Sequence, residues 1–139
     1  MTEYEYSDIV VFVTDVELTR ALERGDVPNA GFHHADHLRV AWVYLAESPT
    51  VDDALARMAA TLRRFAASVG KAEKYSDPIT AFWMYQMAAV RAMMPDADCA
   101  TALRAYPRLL DKDLIDAAAL RATDSSRDTP DRPVPRRSA

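Results

Sequence analysis

The spacing of apolar residues constrains this chain more than any other feature, because it repeats at intervals of three and four residues. The clearest run is Leu55, Met58, Leu62, Phe65 and Val69, which places five apolar side chains on one face of a helix. Alanine occurs 25 times and glycine 3 times, a bias that also favours helix. No useful length of chain alternates with a period of two, so we predict an all-α protein.

Residues that begin and end helices divide the chain into five or six predicted helices. We expect the second helix to pack against the third and fourth in a compact bundle. The predicted helices cover about residues 15–24 (ended by Gly25), 33–47 (before Pro49), 51–69 (after Thr50 and before Gly70), 78–94 (from Pro78 to Pro95), 96–105 and 112–121.

A change of composition after Ala122 predicts a helical domain over residues 1–122 and a separate tail over residues 123–139. The tail carries three prolines and four arginines, and its only large aliphatic residue is Val134, so its composition is typical of an extended segment. The β-branched residues 9–13 are interpreted as an apolar lead into the first helix, because a single strand would have no partner.

Composition excludes several classes of function. A net charge of −4 argues against a nucleic-acid partner, and a single cysteine, Cys99, excludes a disulfide framework or a thiolate zinc cluster. Three glycines are too few for a phosphate-binding loop, and no apolar run is long enough to span a membrane. We therefore expect a cytoplasmic protein, of bacterial composition, that uses no cofactor.

All three histidines fall within residues 33–37, at the predicted start of the second helix. On a helical wheel, the apolar stripe of that helix includes Leu38 and Trp42, and His34 points in the same direction. His37 lies on the flank of the stripe, and Asp36 faces solvent or a neighbouring segment.

Three interpretations of this histidine cluster are open. The imidazoles could act as general acid and base on an organic substrate, or they could cap the helix and bond loop carbonyls. They could also bind a metal ion through His34 and His37, or through His33 and His37, with a carboxylate from elsewhere. The carboxylates considered are Glu47, Glu73, Asp77, Asp96 and Asp98.

The candidate site combines this cluster with aromatic and hydroxyl side chains that could form a pocket. Arg39 is expected to pair with Asp36 or with a carboxylate of the tail. The Gln86 side chain is expected either to reach into a pocket or to form a hydrogen bond with a neighbouring backbone group. The candidate catalytic residues are His34, His37 and Asp36, and the candidate substrate-binding residues are His33, Trp42, Tyr44, Tyr75, Ser76, Thr80, Trp83 and Gln86.

Three segments together resemble an uncharacterised family of small bacterial all-helical proteins. The first segment begins at Phe32 (FHHADHLRVAWVYL), the second at Glu73 (EKYSDPITAFW) and the third at Pro107 (PRLLDKDLI). A PDRPVP segment in the tail also matches, and the resemblance covers about three quarters of the chain. The family pattern has a histidine where this chain has Ser76. The resemblance therefore implies a site that has lost one histidine, in which Ser76 contributes a hydroxyl, and a tail that packs on the domain.

These observations predict a small-molecule enzyme that performs proton transfer, such as isomerisation, cyclisation or elimination, in bacterial specialised metabolism. The alternatives are a non-catalytic helical module that binds a ligand or a protein, and a metal-binding protein. Four methionines in the fourth predicted helix provide more apolar surface than one stripe requires, which would favour a homodimer. They are Met84, Met87, Met93 and Met94.

Overall fold

A computed structural model describes residues 14–116 of the chain, and every regular element in that range is helical. Five α-helices lie wholly within this range: α1 (Asp15–Arg24), α2 (His34–Glu47), α3 (Val51–Ser68), α4 (Asp77–Met93) and α5 (Cys99–Ala105). Short 3-10 turns cover Asn29–Gly31, Ala72–Lys74 and Pro107–Leu110. The all-α prediction is confirmed.

Local capping sets most of the helix boundaries where the sequence predicts them. Thr14 and Glu17 form a reciprocal capping box at the start of α1, and Gly25 ends that helix with a left-handed φ of 81°. The side chains of Thr50, Ser76 and Asp98 each accept a backbone N–H at the start of α3, α4 and α5. The fifth helix is shorter than predicted, since it begins after Asp98.

Residues 114–116 are helical, which agrees with the start of the predicted sixth helix. The remainder of that helix, the apolar lead at residues 9–13 and the tail at residues 123–139 lie outside the described residues. No helix in the described part of the chain is both long and apolar enough to cross a membrane.

Helix α2 occupies the centre of the bundle. It packs against α1, α3, α4 and α5, which confirms its predicted contacts with the third and fourth helices. Six of its side chains are buried: Leu38, Val40, Ala41, Trp42, Val43 and Tyr44. They point in several directions around the helix, so the single apolar stripe read from the sequence describes only part of the buried surface.

A polar network crosses the core where α1, α2 and α3 meet. The fully buried Tyr44 hydroxyl bonds Glu23 Oε2 at 2.6 Å and Thr61 Oγ1 at 2.8 Å, and the Arg57 guanidinium lies over the Tyr44 ring. Burial and the bond to Glu23 raise the pKa of Tyr44 to about 12. The phenol therefore stays protonated and donates to the Glu23 carboxylate.

Helix α4 leaves Ile79, Tyr85 and Met93 substantially exposed. Met84 and Met87, by contrast, are buried in the core, so only part of the methionine-rich surface is available to a partner. The homodimer remains a prediction.

We predict that Tyr44→Phe lowers the free energy of unfolding by about 1–3 kcal/mol, because it removes the buried hydroxyl that bonds a carboxylate. Chemical denaturation measures this loss. Tyr85→Phe is the matched control, since the Tyr85 hydroxyl bonds Asp52 on the surface of the molecule. Equal effects of the two substitutions would contradict a stabilising role for the network.

Candidate active site

A cleft of about 550 Å³ opens between α2, α3 and α4, and residues 71–76 and 112–116 form its rim. Its volume lies within the range of small-molecule sites. Apolar side chains cover most of the interior, and they are Ala41, Met58, Leu62, Phe65, Val69, Trp83 and Met84. The cleft therefore provides an apolar floor below a polar rim.

His37 lines the cleft with one ring nitrogen fixed by the backbone. Its Nδ1 lies 3.1 Å from the carbonyl oxygen of His33. Because a carbonyl can only accept, Nδ1 carries the hydrogen and Nε2 carries the lone pair of the neutral ring. Nε2 of His37 has no hydrogen-bond partner in residues 14–116. The only fully buried side-chain polar atom without a partner in this range is Ser48 Oγ, so Nε2 of His37 is not fully buried.

The surroundings of His37 favour the neutral imidazole. The Phe32 ring lies against it, with 4.4 Å between the ring centroids. Burial lowers the pKa of His37, and the neighbouring His34 adds to this effect, whereas the bond to the His33 carbonyl and the Asp36 charge oppose it. His37 can therefore accept a proton at neutral pH.

His34 also lines the cleft, but its distal nitrogen is occupied. Nε2 lies 2.8 Å from the carbonyl oxygen of Leu109 and must donate to it. The imidazole packs edge-on against the Trp83 indole, with 4.4 Å between centroids. His34 thus joins the start of α2 to the turn at Pro107–Leu110 and to α4.

Three hydroxyl residues at the start of α4 line the same cleft: Tyr75, Ser76 and Thr80. Tyr75 donates to Asp77 Oδ1 at 2.7 Å, and Thr80 donates to the Ser76 carbonyl at 2.9 Å. Ser76 Oγ accepts the Ile79 N–H at 3.2 Å, and its own hydrogen has no acceptor among the described residues. Ser76 therefore has a hydroxyl hydrogen that can bond a ligand.

Ser76 lies on the same cleft as His34 and His37, so a histidine at this position would share a cavity with both imidazoles.

Five of the residues predicted for the site lie outside the cleft. Asp36 accepts the His33 N–H at 3.0 Å and pairs with Arg39, so it caps α2, while the His33 side chain is exposed. Arg39 also bonds Asp15 at 2.6 Å, a partner that the sequence does not indicate. Trp42 and Tyr44 are buried in the core, and Gln86 lines a separate pocket of about 270 Å³.

The predicted carboxylate ligands do not converge on the histidines. Within residues 14–116, no three His, Cys, Asp or Glu side chains lie close enough together to hold a metal ion. Glu47 pairs with Arg20 and Arg57, and Asp77 pairs with Arg63. The arrangement therefore supplies two imidazoles without a third ligand in this part of the chain.

The cleft also contains charged residues that are not among the predicted site residues. They are Lys71, Lys74, Lys112, Asp113 and Asp116. The signal that could have found the lysines is their rarity, since the chain has 3 lysines among 17 basic residues.

Comparison of the chain with protein families, curated proteins and solved structures gave no match. Evidence for a function therefore comes from the chemistry of the cleft itself.

We predict that stability decreases as the pH falls below about 6.5, the pKa of an unperturbed histidine. Below that value the unfolded state binds a proton at position 37 more readily than the native state, in which burial lowers the pKa. Chemical denaturation between pH 7.5 and 5.5 measures the decrease. The His37→Asn variant should show a smaller decrease in stability, because asparagine retains a donor for the His33 carbonyl and does not titrate. If its free energy of unfolding fell with pH as steeply as that of the wild type, this explanation would be contradicted.

We predict that His34→Ala lowers the free energy of unfolding by about 1–3 kcal/mol, through loss of one hydrogen bond and one aromatic contact. His34→Gln is the informative comparison, since its amide can still donate to the Leu109 carbonyl. The glutamine variant should recover part of the stability in chemical denaturation. If neither variant changed stability, the contacts of His34 would not stabilise the fold.

Proposed function

We propose that this chain is a small-molecule enzyme that catalyses proton transfer, with the cleft as its active site and His37 as the group that accepts the proton. The observation that carries the proposal is the state of the His37 ring. Nδ1–H is fixed on the His33 carbonyl, burial favours the neutral form, and the residue lines the cleft with an Nε2 that has no partner in the described chain. A general base needs a free lone pair within reach of the substrate proton, and the bond of Nδ1 to the backbone holds the ring in place.

The proposed reaction begins when Nε2 of His37 takes a proton from a carbon or oxygen atom of the bound substrate. The imidazolium that forms keeps its Nδ1–H bond to the His33 carbonyl, which disperses part of the positive charge. Because burial lowers the pKa of His37, the imidazolium readily returns the proton to another atom of the substrate. Such a transfer between two atoms is an isomerisation, and loss of a leaving group after deprotonation is an elimination.

Ser76 and His34 have supporting roles in this proposal. The Ser76 hydroxyl can donate to an oxygen atom on which negative charge develops as the proton leaves. His34 is a positioning residue, since its distal nitrogen is engaged by Leu109 and its ring supports Trp83 at the cleft wall. We therefore assign the chemistry to His37 rather than equally to both imidazoles.

A second candidate function is a non-catalytic module that binds a ligand in the same cleft. It is favoured by one observation: His34 and His37 each bond a backbone carbonyl, which is a common structural use of histidine. Under this alternative the cleft binds its ligand, and substitution of His37 alters no reaction.

The test is incubation of the protein in D2O with a mixture of bacterial metabolites, followed by mass spectrometry. Proton transfer predicts metabolites that gain deuterium or change into products. We expect His37→Asn to reduce these rates about 100- to 10,000-fold, the usual contribution of a general base. Asparagine keeps a donor for the His33 carbonyl and removes Nε2 with the outer part of the ring, so the start of α2 should persist.

The matched control is His33→Asn, the same substitution at an exposed histidine outside the cleft, where asparagine is also a favourable cap. It should leave the rates unchanged. Deuterium incorporation that survives His37→Asn would refute the role of His37, and ligand binding without any conversion would favour the binding module.

A further inference from the structure

All three lysines of the chain lie at one cleft. Lys71 and Lys74 flank the turn between α3 and α4, and Lys112 lies across the opening on the segment that leads to residue 114. Their side chains are exposed, and none forms an ion pair with a carboxylate in the described part of the chain. Three ammonium groups without an ion-pair partner in residues 14–116 thus line the cleft.

Five of the arginines are used differently. Arg20, Arg24, Arg39, Arg57 and Arg63 all pair with carboxylates, and none of them lines the cleft. Guanidinium groups suit fixed bidentate pairs within the fold, whereas an ammonium is a compact charge on a flexible stem. The basic residues that stabilise the bundle are therefore separate from those that face the cleft.

Charge at the cleft is opposite in sign to that of the chain. The three lysines face two carboxylates, Asp113 and Asp116, which leaves a formal excess of one positive charge, while the whole chain carries −4. Both carboxylates lie on the Lys112 side. The side formed by Lys71 and Lys74 has no acidic lining residue in the described chain, so it is the most positive part of the rim.

The interior of the cleft requires an apolar ligand body. It is lined by Phe65, Leu62, Met58 and Trp83, and burial of hydrocarbon against these side chains is favourable. A ligand that fits both the apolar interior and the positive rim has a hydrophobic body inside the cleft and an anionic group at the rim.

We propose that the cleft selects amphipathic organic anions, with a carboxylate or phosphate bound by Lys71 and Lys74 and a hydrocarbon or aromatic body over Trp83. This proposal names the substrate class of the function proposed above and depends on the same cleft. The anion is held at the rim, and the hydrophobic body passes the His37 ring.

The first experiment uses two fluorescent probes with the same aromatic body. Anilinonaphthalene sulfonate carries a sulfonate, and N-phenylnaphthylamine lacks it. We expect the wild-type protein to bind the anionic probe at least threefold more tightly, with the difference reduced at high salt because exposed charges are screened. Equal affinity for the two probes would overturn the proposal.

Substitutions then assign the charge to particular residues. Lys71→Gln and Lys74→Gln should each lower the affinity for the anionic probe by about two- to fivefold and leave the affinity for the neutral probe unchanged. Lys71→Arg and Lys74→Arg should restore the affinity, because they keep the charge. Asp116→Asn should instead raise the affinity for the anionic probe by a similar factor.

Arg24→Gln is the matched control, since it removes the same charge from an exposed ion pair that does not line the cleft. It should change neither affinity. If Arg24→Gln lowered the affinity for the anionic probe as much as the lysine variants do, the loss of affinity would arise from net charge and the proposal would fail.

Competition with decanoate, decyl phosphate and decanol identifies the anionic group. Displacement by either anion at concentrations where decanol has no effect supports the proposal, and the stronger anion shows which headgroup fits. Equal displacement by decanol would refute it. These titrations require no turnover, so charge-dependent binding without any His37-dependent reaction would refute the proposed enzyme activity while preserving the ligand class.

Discussion

The structure depends on the burial of α2 among four other helices. Because side chains around most of its circumference are buried, the helix cannot shift or rotate without disrupting contacts to α1, α3, α4 and α5. His34 and His37 lie in the first turns of this helix, where the bundle opens into the cleft. Dense packing below them therefore fixes the positions of both imidazoles, although their own surroundings are only partly buried.

A second constraint is the polar network around Tyr44, which joins α1, α2 and α3 through Glu23 and Thr61. Burial tends to raise the pKa of Glu23, but the Tyr44 hydroxyl and Arg20 outweigh it and lower that pKa overall. The carboxylate stays ionised and accepts its bonds. The buried Tyr44 hydroxyl, bonded to this partly exposed carboxylate and to Thr61, specifies one arrangement of three helices more sharply than apolar contacts do, since a displaced helix would leave the hydroxyl without partners.

The sequence predicts the helices well because their boundaries are local. Gly25, Thr50 and Pro78 act within one turn of their own positions, so no knowledge of distant residues is required. The site is predicted less completely because it depends on which helices surround α2. Trp42 and Tyr44 lie near the histidines on a helical wheel, yet both are buried by neighbouring helices. Tyr44 bonds Glu23 of α1 and Thr61 of α3, and Arg91 of α4 lies over Trp42, which only the bundle determines. The rim lysines come from two segments about 40 residues apart, which no local pattern connects.

The bonds of the two histidines explain how one short motif can serve both stability and chemistry. A bond through the distal Nε2 leaves His34 with only Nδ1, which lies next to its own side-chain stem and is poorly placed to reach a ligand. A bond through Nδ1 leaves His37 with its distal nitrogen directed away from the backbone. Which ring nitrogen bonds the backbone, rather than the number of histidines present, therefore determines which imidazole can act on a substrate in this cleft.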